Sequence, residues 1–281
     1  MQWERAKNFM IIFFLLANIL LAVLIRYEAG SYTLSREREY AIMTVFAQND
    51  INMYYSIPRQ FDPMRALRVA GHDYDIYRLL SIFFPSYAEI SHESETDWDE
   101  FTWENTRLII SRGYVFFISG LGATGVPDKD AAINLTQDFI AEHFPDFKLD
   151  MHSTRQARRG GLRLFYRQDY QGYIIHTNFV EILVTGDGED LVIEEVDIHY
   201  VRPVGFAYLP REIAGPDEAL LTFLQHYRLH NDGPVLITHM DIVYFQPAND
   251  LLYIEPHYRL FIEGQYEPFL INAYTNRIRA I

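Results

Sequence analysis

The apolar and polar positions of this chain change rhythm along its length. Residues 9–25 are all apolar except Asn18, with Trp3, Arg5 and Lys7 ahead and Arg26 immediately behind. A run without a polar face does not suit a helix that buries a single stripe. It predicts one transmembrane helix over 9–25, at the short end of the roughly 17–25 apolar residues that cross a bilayer. The run is longer than the about 7–15 residues of a secretory signal and lacks a small-x-small cleavage site, so a retained anchor is expected. The basic residues in front place a short tip, 1–8, in the cytoplasm and the remainder outside. The expected localisation is therefore the cell membrane, single-pass, with an extracytoplasmic C-terminal domain.

Past the anchor the pattern becomes that of a globular α+β chain. Ser35 caps a helix over 36–48 with Ile42, Val45 and Phe46 as its stripe. Residues 51–57 read as a short strand, and 74–83 as a helix with Ile76, Leu79, Leu80 and Phe83 on one side. The acidic stretch 92–104 reads as a solvated loop, and 106–110 with 114–119 as a hairpin turning at Arg112 and Gly113. Two later helices open alike, at Pro127-Asp128 and Pro216-Asp217, where proline and carboxylates suit the free N–H groups of a first turn. Their inward stripes are Ala132, Leu135, Thr136, Phe139 and Ile140, then Leu220, Leu221, Leu224 and Tyr227.

Strand-like runs follow each helix, at 161–167, 173–184 and 191–201, then at 235–246, 251–263 and 269–274. Val196, Ile198 and Tyr200 alternate with Glu195, Asp197 and His199, as a sheet with one wet face requires. The expected architecture is an N-terminal single transmembrane helix followed by an ectodomain of antiparallel sheets, each packed against helices. The ectodomain divides at 31–125 and 126–281, the second part carrying a duplicated helix-plus-sheet unit.

Composition narrows the chemistry. With 24 basic and 38 acidic residues the net charge is −14, which excludes nucleic acid as a partner, because that affinity rests on neutralising phosphates. Twenty Tyr and twenty Phe favour sheet and aromatic packing, and 49% hydrophobic content excludes a disordered chain. There is no cysteine, so thiol catalysis and disulfides are impossible.

Gly120, Gly122 and Gly125 form a GxGxxG, but the helix begins only after Pro127 and no parallel βαβ pattern surrounds it. It reads as a flexible connection. Asp97, Asp99 and Glu100 lack the calcium-loop spacing, and His226 with His230 lacks the companions of a zinc site. No catalytic residue, metal ligand or cofactor site is assigned, and the expectation is a non-enzyme. Arg155, Arg158, Arg159, Arg163 and Arg167 crowd thirteen residues. They either pair within the acidic chain, the preferred reading, or offer a docking edge at Arg155, Arg158 and Arg159.

The opening Met1-Gln-Trp-Glu-Arg-Ala-Lys-Asn8 with Asn18-Ile-Leu-Leu-Ala22, and the tail Tyr253-Ile-Glu-Pro-His-Tyr258 through Phe261 to Ile271-Asn-Ala-Tyr-Thr-Asn276, resemble the YycI family. Asn276 stands where that family's turn carries glycine. The resemblance implies a non-enzymatic, membrane-anchored regulator that binds a cell-wall-sensing histidine kinase (WalK) and a YycH-like sister protein. In such a complex the helix face bearing Phe14, Asn18, Leu21, Ala22 and Ile25 would be the contact stripe, unless Asn18 bonds its own backbone. The alternative is an anchored lipid- or wall-ligand-binding module with an aromatic cleft.

Overall fold

A computed structural model describes residues 2–72, 74–86, 89–121, 125–157, 160–188, 190–229, 233–245 and 252–278. The first element, α1 (Gln2–Ser31), is continuous helix. Among the described residues no helix is long and apolar enough to cross a membrane. This overturns the expected transmembrane helix. With it go the single-pass cell-membrane localisation, the membrane as partner, and the membrane-anchored regulator of a histidine kinase and sister protein, since each depended on that span.

Ser35 caps α2 (Arg36–Gln48) by accepting from the Arg38 N–H. The chain continues through β1 (Ile51–Met53), β2 (Leu67–Ala70) and α3 (Ile76–Phe83). Four strands follow, β3 (Ser91–Ser94), β4 (Trp98–Trp103), β5 (Thr106–Ser111) and β6 (Tyr114–Ile118). Asp128 caps α4 (Lys129–His143) through the N–H groups of Asp130 and Ala131. Next come β7 (Phe147–Leu149), β8 (Arg155–Gln156), β9 (Leu162–Tyr170), β10 (Tyr173–Thr185), β11 (Val192–His199) and β12 (Arg202–Phe206). The last elements are α5 (Pro216–Arg228), β13 (Val235–Phe245), β14 (Tyr253–Ile262), β15 (Phe269–Asn272) and β16 (Arg277–Ile278).

The strands join one mixed sheet, whose main path runs β12-β2-β14-β13-β10-β11-β6-β5-β4-β3. Most neighbours are antiparallel, but β1 and β10 each pair with β13 in parallel, so the expected purely antiparallel sheets are corrected. Two apolar cores lie against this sheet. One gathers Phe46 of α2, Leu220 and Phe223 of α5, and Ile237, Leu260 and Ile271 of the C-terminal strands. The other gathers Ala132 and Ile140 of α4, Leu79 of α3, and Leu108, Val115 and Val180. The α+β class stands, and α2, from the N-terminal part of the chain, shares its core with α5.

Local departures have tertiary causes. The expected loop 92–104 is instead β3 and β4, because Phe101 pairs opposite buried Leu108. The acidic residues there find partners: Asp99 accepts from His92 at 2.9 Å, and Glu100 pairs with Arg107. In α5 the buried stripe is Ala219, Leu220, Phe223 and Tyr227, and Leu221 faces outward. Gly161 enters β9 at φ +87°, where a Cβ would meet the Val184 carbonyl oxygen at 2.7 Å.

Candidate functional site

A concavity lies where α3 and the end of α4 meet the sheet. Asp75 caps α3 by accepting from the Arg78 N–H at 3.2 Å. Phe83, near the other end of that helix, stacks on Phe117 of β6 with ring centroids 4.4 Å apart. The helix α4 ends at Phe144, whose N–H returns to the Ile140 carbonyl. The Phe147 N–H then closes a turn on Phe144, aiming the chain into β7. Arg78 spans the gap by donating from Nη2 to the His143 carbonyl at 3.0 Å. A cation at that position complements the negative end of the α4 dipole.

Between these parts is a cleft of about 400 Å³, walled by Tyr74, Leu79, Phe144, Phe147, Ile198 and Tyr200. Asp75 and Asp146 stand at its mouth and Gln168 at its floor, with His72 and His143 also on the lining. The His72 ring is nearly perpendicular to Tyr74 and to Tyr200, at centroid distances of 4.8 and 4.6 Å. Burial pushes the Tyr74 hydroxyl well above its ordinary range, with a further rise from Tyr200 and Asp197. That hydroxyl is buried without a hydrogen-bond partner among the described residues. Burial also raises Tyr200, partly offset by its hydrogen bond with Gln168. Gln168 is held in turn, its Oε1 accepting from Asn178 at 2.7 Å. Apolar walls with a few convergent polar groups suit a small amphipathic ligand.

A second polar constellation lies elsewhere and is closed on itself. Arg259 of β14, only 1% exposed, donates through Nε and Nη2 to Asp241 of β13 at 2.9 and 2.6 Å. Its Nη1 reaches Asp150 at 2.7 Å. Arg167 of β9 lies 3.6 Å from the same Asp150 and also donates to the His176 carbonyl. Burial brings Arg167 down to about 10, Asp150 opposing and Arg259 reinforcing the fall. Burial likewise depresses His176 well below the imidazole range, helped by the Arg167 and Arg259 charges. Burial pushes Asp241 up, but the bonds from Arg259 and His239 prevail and bring it down to about 2. These shifted groups engage one another, with Arg167 Nε buried near Asp150 but without a hydrogen-bond partner among the described residues, and the network ties β9 and β10 to β13 and β14.

The residues singled out from sequence lie apart from the cleft. Phe14, Asn18 and Leu21 are exposed on α1, and the Asn18 amide donates to the Phe14 carbonyl of its own helix at 2.8 Å. The side chains of Ala22 and Ile25, and residues Arg158 and Arg159, lie outside the described residues. Arg155 pairs with Glu267 at 3.7 Å and rests over the rings of Phe165 and Tyr266. Arg163 bonds Glu181 and Glu195 at 2.8 and 2.6 Å, so two arginines of the basic cluster, Arg163 and Arg167, are consumed by internal pairing. Gly122 lies outside the described residues, and α4 starts well after Gly125. Among the described residues no group of three or more His, Asp or Glu is placed to hold a metal. Sequence reasoning missed the cleft; its one local signal was the apolar face of the 74–83 helix, which named Leu79 but not the partners it meets.

No family model and no curated protein matches the chain. Among solved structures it is similar to an uncharacterized protein from Eubacterium rectale, with a TM-score of 0.53 at 14% identity over 82% of this chain and 89% of that one. That likeness shows a shared fold. A more distant structural relative is the C-terminal domain of YpeB from Bacillus megaterium, with a TM-score of 0.42 at 13% identity, covering 75% of this chain and 96% of that domain. Neither establishes membership of the YycI family.

Proposed function

We propose that this chain is a non-enzymatic binding module that takes a small amphipathic ligand in the cleft between α3 and α4. The observation that carries this reading is the cleft itself, about 400 Å³ with aromatic walls and polar groups at mouth and floor. It falls within the roughly 300–1,000 Å³ of small-molecule sites. Arg167, His176 and Asp241, all strongly shifted, support binding over catalysis, because they are engaged with each other and lie away from the cleft, while burial on the cleft wall keeps the Tyr74 hydroxyl protonated. Kinship with YycI is part of this proposal only as a common ancestry of fold, on the tail residues 253–258 and 271–276.

The test is saturation-transfer NMR on the full chain with benzyl alcohol, benzylammonium and benzoate as probes. At least one should bind, and Ile82→Trp, which fills the cleft from its wall, should abolish that binding while leaving the circular dichroism spectrum unchanged. Binding of none of the three, or binding undiminished in the folded Ile82→Trp protein, would overturn the proposal.

A further inference from the structure

We infer that the ligand of this cleft is an organic cation, an ammonium head carried on an apolar arm; this rests on the binding reading above and specifies its chemistry. Four of the walls are aromatic, Tyr74, Phe144, Phe147 and Tyr200. An aromatic face presents the negative part of its quadrupole, and a cation within about 6 Å of several rings is attracted by each. The rings are close enough together to act jointly: Phe144 and Phe147 lie 6.1 Å apart, and Phe147 and Tyr200 lie 6.2 Å apart. His72 is a further ring of the lining, nearly perpendicular to both tyrosines at centroid distances of 4.8 and 4.6 Å.

Charge at the mouth has the matching sign. Asp75 and Asp146 are exposed on its lining, Asp75 also capping α3 and Asp146 acting on Tyr200. Arg78 opposes them on the lining, its guanidinium tied to the His143 carbonyl at the negative end of α4, and Arg202 acts on Tyr200 from nearby. His72 and His143 also line the cleft, and the measurement is made at pH 8. A chain of net charge −14 further concentrates cations at its surface and repels anions. An apolar arm would lie along Leu79, Ile82 and Ile198 on the inner wall.

The experiment compares the affinity of benzyltrimethylammonium with that of a neutral analogue of similar shape, 2,2-dimethyl-3-phenylpropanol, and of benzoate, on the full chain at pH 8. The cation should bind about tenfold more tightly than the neutral probe, the scale of a desolvated cation–π contact of about 1.4 kcal/mol. Benzoate should be the weakest. Asp146→Asn should lower cation affinity several-fold and leave the neutral probe unchanged. Equal affinity for cation and neutral probe, with binding lost in Ile82→Trp, would overturn this inference and leave the binding reading standing. Binding of no probe would remove both. A fall for both probes in Asp146→Asn would also overturn it, by making the carboxylate structural.

Discussion

Asp241→Asn isolates the contribution of the buried ion network. The carboxylate holds Arg259 through two bonds of 2.9 and 2.6 Å, and Arg259 is withdrawn from water. Breaking a buried pair by removing one partner costs about 3–5 kcal/mol, because the other charge is left without compensation. Asp150 keeps its 2.7 Å bond to Nη1, which puts the expected loss at the lower end of that range. The pH dependence supplies an independent magnitude. Asp241 is depressed from 3.8 to about 2 in the folded chain. At 1.36 kcal/mol per pH unit its ionisation therefore contributes about 2 kcal/mol.

A depressed carboxylate stabilises fully above its unfolded value near pH 4, and that share disappears as pH falls through about 2. Urea unfolding followed by far-UV circular dichroism, at pH 7, 4 and 2.5, measures the gap between wild type and Asp241→Asn. The gap should be about 3 kcal/mol at pH 7, hold at pH 4 and shrink by pH 2.5. A gap under about 1 kcal/mol at pH 7, or one that does not change with acid, would refute the assignment of a folding role to this pair.

Two further substitutions examine how the sheet and helix are held. Gly161→Ala forces a Cβ at φ +87° to within 2.7 Å of the Val184 carbonyl. It should lower stability by more than about 1 kcal/mol, read as a drop in the urea midpoint, whereas Gly172→Ala, with open space around it, serves as a strain-only control. Thr136→Val removes a hydroxyl that lies 2.7 Å from the Tyr166 hydroxyl inside the α4 core. Leaving that phenol unpaired should cost about 1–3 kcal/mol, and Tyr166→Phe combined with Thr136→Val should recover part of it in a double-mutant cycle.

The local rhythm of the chain was enough to place most elements, because those signals act over a few residues. Ser35 and Asp128 have side chains that bond the first free N–H groups of α2 and α4, so both helix starts were legible in the sequence. The period-two pattern around Val196 and Ile198 likewise showed which face of β11 enters the core. Tertiary structure decided everything that needed partners distant in sequence. Phe101 turned an acidic stretch into strand by pairing with Leu108, and the inward stripe of α5 shifted to include Phe223 once the sheet beneath it was in place. The basic cluster could be counted in sequence, but only folding brought Arg163 to Glu181 and Glu195, and Arg167 to Asp150.

The candidate cleft was the least legible feature. Tyr74, Phe144 and Tyr200 come from three separate parts of the chain and show no shared spacing. They converge because α3 packs on β6 through Phe83, α4 ends at Phe144, and β11 delivers Tyr200 between them. A binding site made by convergence has no sequence period, since the distances that define it are set by packing and not by the repeat of helix or strand.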